Sequence, residues 1–289
     1  MTQGKTILIV IIMVTVILVT IFFPKNQVDK FGIQKIYPTV TDGREWYSNW
    51  DNGTRVVDSI KHDPYDFQMV MKGSGKISID GQGIASISGK SPRIYVFDKS
   101  KPKWNNVEIT FYAKRITELG KNPSQGFIAG ARSEHQDEEK NPCNGLTYYG
   151  KILYDGRIGF QKELAHDKFY STIFPKDAKI NWETKDGGLP RHVWVGIKFI
   201  VFSKQNGVKL ELYKDLKNGL NGGQWEKIAE FFDKGEGIEF ESDLNLKKLC
   251  GYDEKKILFE PGTSVFLRND EIMKAEYKNF SIREILPPL

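Results

Sequence analysis

Between residues 76 and 283 the chain returns repeatedly to short runs in which apolar and polar side chains alternate. Lys76-Ile-Ser-Ile-Asp80 and Ile84-Ala-Ser-Ile-Ser88 alternate without a break, and Arg93-Ile-Tyr-Val-Phe97 and Val107-Glu-Ile-Thr-Phe-Tyr112 are rich in β-branched and aromatic residues. A period of two sends successive side chains to opposite faces of a strand, and these residue types suit a pleated, half-buried surface. Val193 to Phe202 is apolar on both faces, as a central strand should be, and Val208-Lys-Leu-Glu-Leu-Tyr213 alternates again. Ala275 to Arg283 reads as a closing strand. Asp80-Gly81, Asp155-Gly156, Asn206-Gly207 and Asn218-Gly219 supply turns, and Asn206-Gly207 between two strand runs predicts a hairpin. Helical signals are few: Asp243 to Leu249 predicts a short helix, and Lys227 to Phe232 fits a helical turn or a strand. Many strands and glycine turns in one long chain predict two packed antiparallel sheets, an all-β sandwich or jelly roll.

The pattern breaks at the amino end. Thr6 to Phe23 contains no charge, Gly or Pro, and its 18 residues would span roughly 27 Å as a helix, close to the hydrocarbon thickness of a bilayer. The run is longer than the apolar part of a secretory signal and lacks an Ala-x-Ala site after it, so it reads as an uncleaved anchor. Lys5 lies before it and Lys25 and Lys30 after it, so charge barely sets its direction. The expected organisation is a short tail at 1–5, a transmembrane anchor at 6–23, a stalk at 24–36 and one β-sandwich at 37–289. Its expected location is that of a single-pass membrane protein with the bulk of the chain outside, touching membrane lipid through the anchor.

Composition agrees with a large core: 39% of residues are apolar and 12% aromatic. The net charge of +5 comes from basic residues that alternate with acidic ones, which gives no nucleic-acid footprint. A mildly basic surface would suit an acidic polymer. Cys143 and Cys250 are the two cysteines. They are either bridged, which needs an oxidising compartment, or two separate thiols.

The order of features resembles the concanavalin A-like lectin/glucanase jelly-roll superfamily. Trp46-Tyr-Ser-Asn-Trp50 precedes a glycine-rich hairpin pair, a strand opens after Trp104, His192 to Lys198 pairs with Val208 to Asp215, and Tyr277 to Ile282 returns to the sheet. The resemblance implies polysaccharide binding or cleavage on a concave sheet face. Arg132-Ser133-Glu134 further resembles the Arg-Ser-Glu strand motif of jelly-roll alginate lyases. That likeness implies that Arg132 neutralises a uronate carboxylate, with Glu134 in support, while a His and a Tyr move protons. The Gln-x-His triplet and the late Tyr-Phe-Lys-Ala-Gly segment of those enzymes do not occur here.

Candidate chemistry concentrates between Gln125 and His166. If Phe127 to Glu134 is a strand, Ile128, Arg132 and Glu134 share a face, and His135 follows at its end. Gln161 and Glu163 share a face of the next hairpin, opposite to Lys162. Arg132, Glu134, His135, Tyr149, Gln161 and Glu163 are therefore the candidate catalytic set, and Tyr148, Lys162 and His166 candidate ligand contacts. Trp46 and Trp50, among polar neighbours, are expected to stack on sugar rings, whereas Trp194 is expected in the core. The paired carboxylates of a glucanase are not spaced on one strand, so a lyase outranks a glycoside hydrolase. No cofactor is expected. Four scattered histidines give no zinc spacing, and Asp42 and Asp51 are the candidates for a structural Ca2+. The leading function is a membrane-anchored, outward-facing carbohydrate-binding domain. A uronate lyase acting by β-elimination and a non-catalytic surface module are the alternatives.

Overall fold

The computed structural model describes residues 28–288 apart from 90–91, 98–103, 119–125, 136–137 and 185–186. The apolar run 6–23 lies outside the described residues, among which no helix is long and apolar enough to cross a membrane.

The alternating segments form two antiparallel sheets. The back sheet runs β15 (Glu226–Asp233), β14 (Gly207–Asp215), β13 (Trp194–Lys204), β8 (Val107–Thr117), β17 (Lys274–Glu284), β6 (Ile84–Ser88), β5 (Lys76–Gly81) and β2 (Gly53–Asp58), with β1 (Glu45–Tyr47) also on β17. The front sheet runs β12 (Phe169–Ile173), β11 (Ile158–Ala165), β10 (Thr147–Leu153), β9 (Gly126–Ser133), β16 (Ser264–Asp270), β7 (Arg93–Phe97), β4 (Asp66–Lys72) and β3 (His62–Asp63). Strands distant in sequence are neighbours in both sheets, as in a jelly roll of the concanavalin type. The expected hairpin joins β13 to β14, with Lys204 opposite Gly207 and Gln205 at φ 51. Lys227 to Phe232 resolves as strand, and the short helix α1 spans Leu246–Cys250 behind an Asn245 cap.

The period of two now shows as three layers. Inward side chains such as Met71, Ile94, Ala129, Ile152, Phe199, Leu267 and Ile282 form the core between the sheets. Val70, Tyr95, Phe97, Ile128, Tyr149 and Phe266 form a second cluster on the outer face of the front sheet. On the outer face of the back sheet, Ile200, Phe202, Tyr213 and Ile285 pack with Ile36 and Tyr37. Residues 28–36, inside the segment read as a stalk, thus lie on the back sheet. Ile33 is buried there, Asp29 caps the Phe31 and Ile33 amides, and Ile36 donates its amide to Glu108 at 3.1 Å. Beneath this strap Glu108 is held by Lys198 at 2.7 Å and Arg283 at 2.8 Å, all three buried. Cys143 and Cys250 form a disulfide that ties the turn after β9 to α1.

Several expected site residues belong to this scaffold. Trp46 and Trp50 are core residues, packed edge-on and tilted against Phe280, because their segment crosses β17 at the rim of the sandwich. They offer no sugar platform. Trp194 departs the other way: it is half-buried at the start of β13, with Lys114 and Lys278 over its ring.

Candidate functional site

Five of the candidates meet on the outer face of the front sheet, and the strand register explains why. Tyr149 sits directly opposite Gln161 and Thr147 opposite Glu163 across β10 and β11, so those side chains rise on one face. His135 reaches the same place by an irregularity in β9. Arg132 adopts φ 51, and the pairing of β9 with β16 slips between Ser264 and Phe266. A left-handed residue and a register slip together interrupt the alternation. Ser133 consequently faces His135, with its Oγ 2.8 Å from His135 Nδ1.

The same irregularity removes Arg132 from the site. Its guanidinium donates to the Leu258 carbonyl at 2.6 Å, Asn106 Oδ1 at 3.1 Å and Ser203 Oγ at 3.0 Å, and burial pulls its pKa down to about 10. An arginine so enclosed clamps the end of the sandwich and meets no uronate, which corrects the reading drawn from the alginate-lyase likeness. Glu134 is half-buried beyond the end of β9, where its amide donates to the Leu146 carbonyl. Tyr148 and Lys162, on the opposite side of their strands, point into the sandwich. Lys162 Nζ lies 2.8 Å from the buried Asp233 carboxylate, and the Tyr148 hydroxyl donates to the same carboxylate. Neither can contact an external ligand.

The convergent residues form a buried polar knot. Glu163 accepts from the Tyr149 hydroxyl and from the Asp167 amide at 3.1 Å. Its carboxylate also lies 3.1 Å from His166 Nδ1 and 3.5 Å from His135 Nε2. His135 Nε2 and His166 Nδ1 are 3.2 Å apart. Burial raises the Glu163 pKa, but hydrogen bonds from His135 and His166 outweigh it and hold the group far below the usual carboxylate range. The bond to Glu163 raises His166 in return. Tyr149 is pushed up, first by burial and then by the Glu163 charge. Tyr149 and His135 are 1% and 2% exposed, so neither reaches a polymer from this position. Among the described residues this is the one group of three convergent metal-type ligands. Asp42 and Asp51, considered for calcium, are exposed and outside it.

Beside the knot runs a feature the sequence did not disclose. Lys72 of β4 is directly opposite Arg93 of β7, and Arg93 is directly opposite Arg268 of β16. Ile128 continues the row on β9 and Lys151 ends it on β10. With strands about 4.8 Å apart, the row from Lys72 to Lys151 extends roughly 19 Å. Its neighbours on the adjoining row are Val70, Tyr95, Phe266 and Tyr149, packed as one cluster. Gly130 lies within that row, where a Cβ would come within 2.3 Å of the Phe266 ring. Lys72 pairs with Glu138 at 3.4 Å and Arg268 with Asp270 at 3.1 Å. The side chains of Arg93 and Lys151 form no ion pair or hydrogen bond among the described residues, although Asp270 and Glu163 lie near enough to Lys151 to favour its charge. Burial, with Arg268 nearby, draws the Lys151 pKa down to about 8. A cavity of about 450 Å3 opens over one end of the row, lined by Lys72, Arg93, Lys140, Glu138 and Val70. A larger cleft of about 810 Å3 follows β12, but it gathers Asp167, Glu239 and Glu241 against Lys168 and so repels anions.

Topology defines an antiparallel two-sheet jelly-roll sandwich. No family model and no curated protein matches the chain. Solved structures are similar in fold only. A protein of unknown function with a galectin-like fold from Bacillus subtilis is 12% identical over 84% of this chain and 100% of that one, with a TM-score of 0.44. The winged bean acidic lectin, complexed with methyl-alpha-D-galactose, is 11% identical over 82% of this chain and 100% of that one, TM-score 0.40. Arcelin-5, a lectin-like defense protein from Phaseolus vulgaris, is 9% identical over 79% and 97%, TM-score 0.41. No residue or ligand is carried over from them.

Proposed function

We propose that the protein binds an acidic polysaccharide across the outer face of its front sheet. The observation that carries this reading is the cationic row Lys72, Arg93, Arg268 and Lys151, two members of which form no side-chain ion pair among the described residues. Like charges directly opposed on a sheet face destabilise it. A carboxylate- or sulfate-bearing chain laid along the row relieves that repulsion, and the arginine forks favour planar carboxylates. The reading is one of binding. The Tyr and His that β-elimination would need are sealed in the knot below the row. If the apolar run 6–23 serves as an anchor, the chain enters the domain through the strap on the back sheet, so the front face points away from the bilayer.

Retention on immobilised alginate or polygalacturonate, eluted with rising salt and compared with neutral dextran, tests the proposal. Charge-assisted contacts contribute about 1.5–3 kcal/mol each, so Arg93→Ala is expected to weaken binding at least about tenfold with no unsaturated product formed. Equal retention on dextran, or an unchanged Arg93→Ala, would rule this function out.

A further inference from the structure

We infer that His135, His166 and Glu163 form a divalent-metal site suited to zinc. The inference is independent of glycan binding and rests on ligand geometry. The two histidine nitrogens are 3.2 Å apart, His166 Nδ1 is 3.1 Å from Glu163 Oε1, and His135 Nε2 is 3.5 Å from Glu163 Oε2. Zinc bonds of about 2.0–2.1 Å place tetrahedral ligands roughly 3.3–3.4 Å apart. One donor atom from each residue lies within 4.8 Å of the other two, and the edges just given are near that spacing, so a small turn of the Glu163 carboxylate would complete one face of a zinc tetrahedron.

The surrounding side chains supply an outer partner for each ligand. The Thr147 and Ser133 hydroxyls lie 2.9 and 2.8 Å from His135 Nδ1, and either can accept a hydrogen bond from a proton held there when Nε2 binds an ion. In that tautomer Nε2, the nitrogen that faces the cluster, is the one free to bind the ion. His166 places Nδ1 in the cluster and Nε2 within 3.5 Å of the Asp167 carboxylate. Glu163 is fixed by the Tyr149 hydroxyl and the Asp167 amide. Each ligand thus has the outer partner that metal-binding histidines and carboxylates ordinarily use, and such partners change metal affinity by about 10–100-fold. Lys72 is turned to the His135 carbonyl and Glu138, and Arg268 pairs with Asp270, so among the described residues neither forms an ion pair with Glu163. His166 is 16% exposed, which gives an ion its way in and leaves the fourth position for water. Zinc is favoured over iron because its tetrahedral spacing matches the set and because the Cys143–Cys250 disulfide indicates an oxidising milieu.

The test uses the untagged full chain in detergent, stripped with chelator and titrated with Co2+ as a coloured stand-in for zinc. One Co2+ per chain is expected, with the intense visible bands of four-coordinate cobalt, bleached by stoichiometric Zn2+. Glu163→Gln and His166→Ala should abolish the bands, and His62→Ala should leave them intact. Thr147→Val, which keeps all three ligands, should weaken Co2+ by about 10–100-fold. Circular dichroism identifies any variant that has lost its fold, and His166→Ala, at the exposed side, is the least exposed to that failure. The absence of visible bands at millimolar Co2+, the weak spectrum of six-coordinate cobalt, or bands that survive both His166→Ala and Glu163→Gln would overturn the assignment.

Discussion

At the scale of single residues, Lys151 carries opposing consequences for binding and stability. It is half-buried and close to Arg268, and burial, helped by that like charge, draws its pKa down to about 8. An ammonium whose folded pKa is lowered loses its charge as pH rises through that value. Affinity for an acidic polymer should therefore decline between pH 7 and 9 in the wild type, and this decline should shrink in Lys151→Met. The stability sign is opposite. The unfolded chain holds the lysine proton up to about pH 10.4, so between pH 8 and that value it binds more protons than the native state, and Lys151 favours folding increasingly as pH rises. Removing the charge at pH 7 should accordingly stabilise the fold, by on the order of 1 kcal/mol. Urea denaturation and polymer retention of the same variant measure both effects. A Lys151→Met protein that is destabilised and binds normally would contradict this account of the residue.

At the scale of elements, the strands written as unbroken alternation were legible, and the sites were not. Lys76 to Asp80, Ile84 to Ser88 and Arg93 to Phe97 fold as read because each buries one face, which fixes the register. Gln161 and Glu163 were placed on one face for the same reason. Arg132 was misplaced because nothing in Ala-Arg-Ser-Glu announces a left-handed residue. That conformation depends on the neighbouring strand and on Gly262, where a Cβ would meet the Arg132 backbone at 2.2 Å. The cationic row was invisible because its members come from β4, β7, β16 and β10, whose adjacency is a property of topology. The strap over the back sheet gives this scale its own prediction. Glu108→Gln would leave Lys198 and Arg283 buried with no carboxylate between them, and breaking a buried pair costs about 3–5 kcal/mol. A loss below about 1 kcal/mol in chemical denaturation would mean that water or other acceptors compensate for the charge.

For the whole molecule, carboxylates dominate the response to acid. Burial opposes ionisation of Glu45, Glu108, Glu138 and Asp215, but their partners prevail and hold all four below the ordinary range, Glu45 at about 2. The partners are Thr39 and Tyr47 for Glu45, Lys198 and Arg283 for Glu108, a backbone amide and Lys72 for Glu138, and Tyr112 with three backbone amides for Asp215. A depressed folded pKa contributes stability that is complete above the unfolded value and is lost as pH falls toward the folded one. Asp66 acts the other way, since burial raises it, but it is one group against six, because Glu163 and Glu230 are lowered as well. Stability should therefore be flat from neutral pH down to about pH 5 and fall steeply between about pH 4 and 2. Glu45, Glu108 and Asp215 sit on separate strands of the back sheet and Glu138 at the rim of the cationic row, so their losses are spread across the fold. The Cys143–Cys250 bridge spans a sequence separation of 107 and by constraining the unfolded chain contributes about 4–5 kcal/mol that does not titrate. The acid midpoint should shift to higher pH when the bridge is removed by Cys143→Ala with Cys250→Ala, while the shape of the transition is unchanged. Melting curves recorded every half pH unit for both proteins test this, and a double variant that melts at the wild-type temperature would show that the bridge does not constrain the unfolded chain.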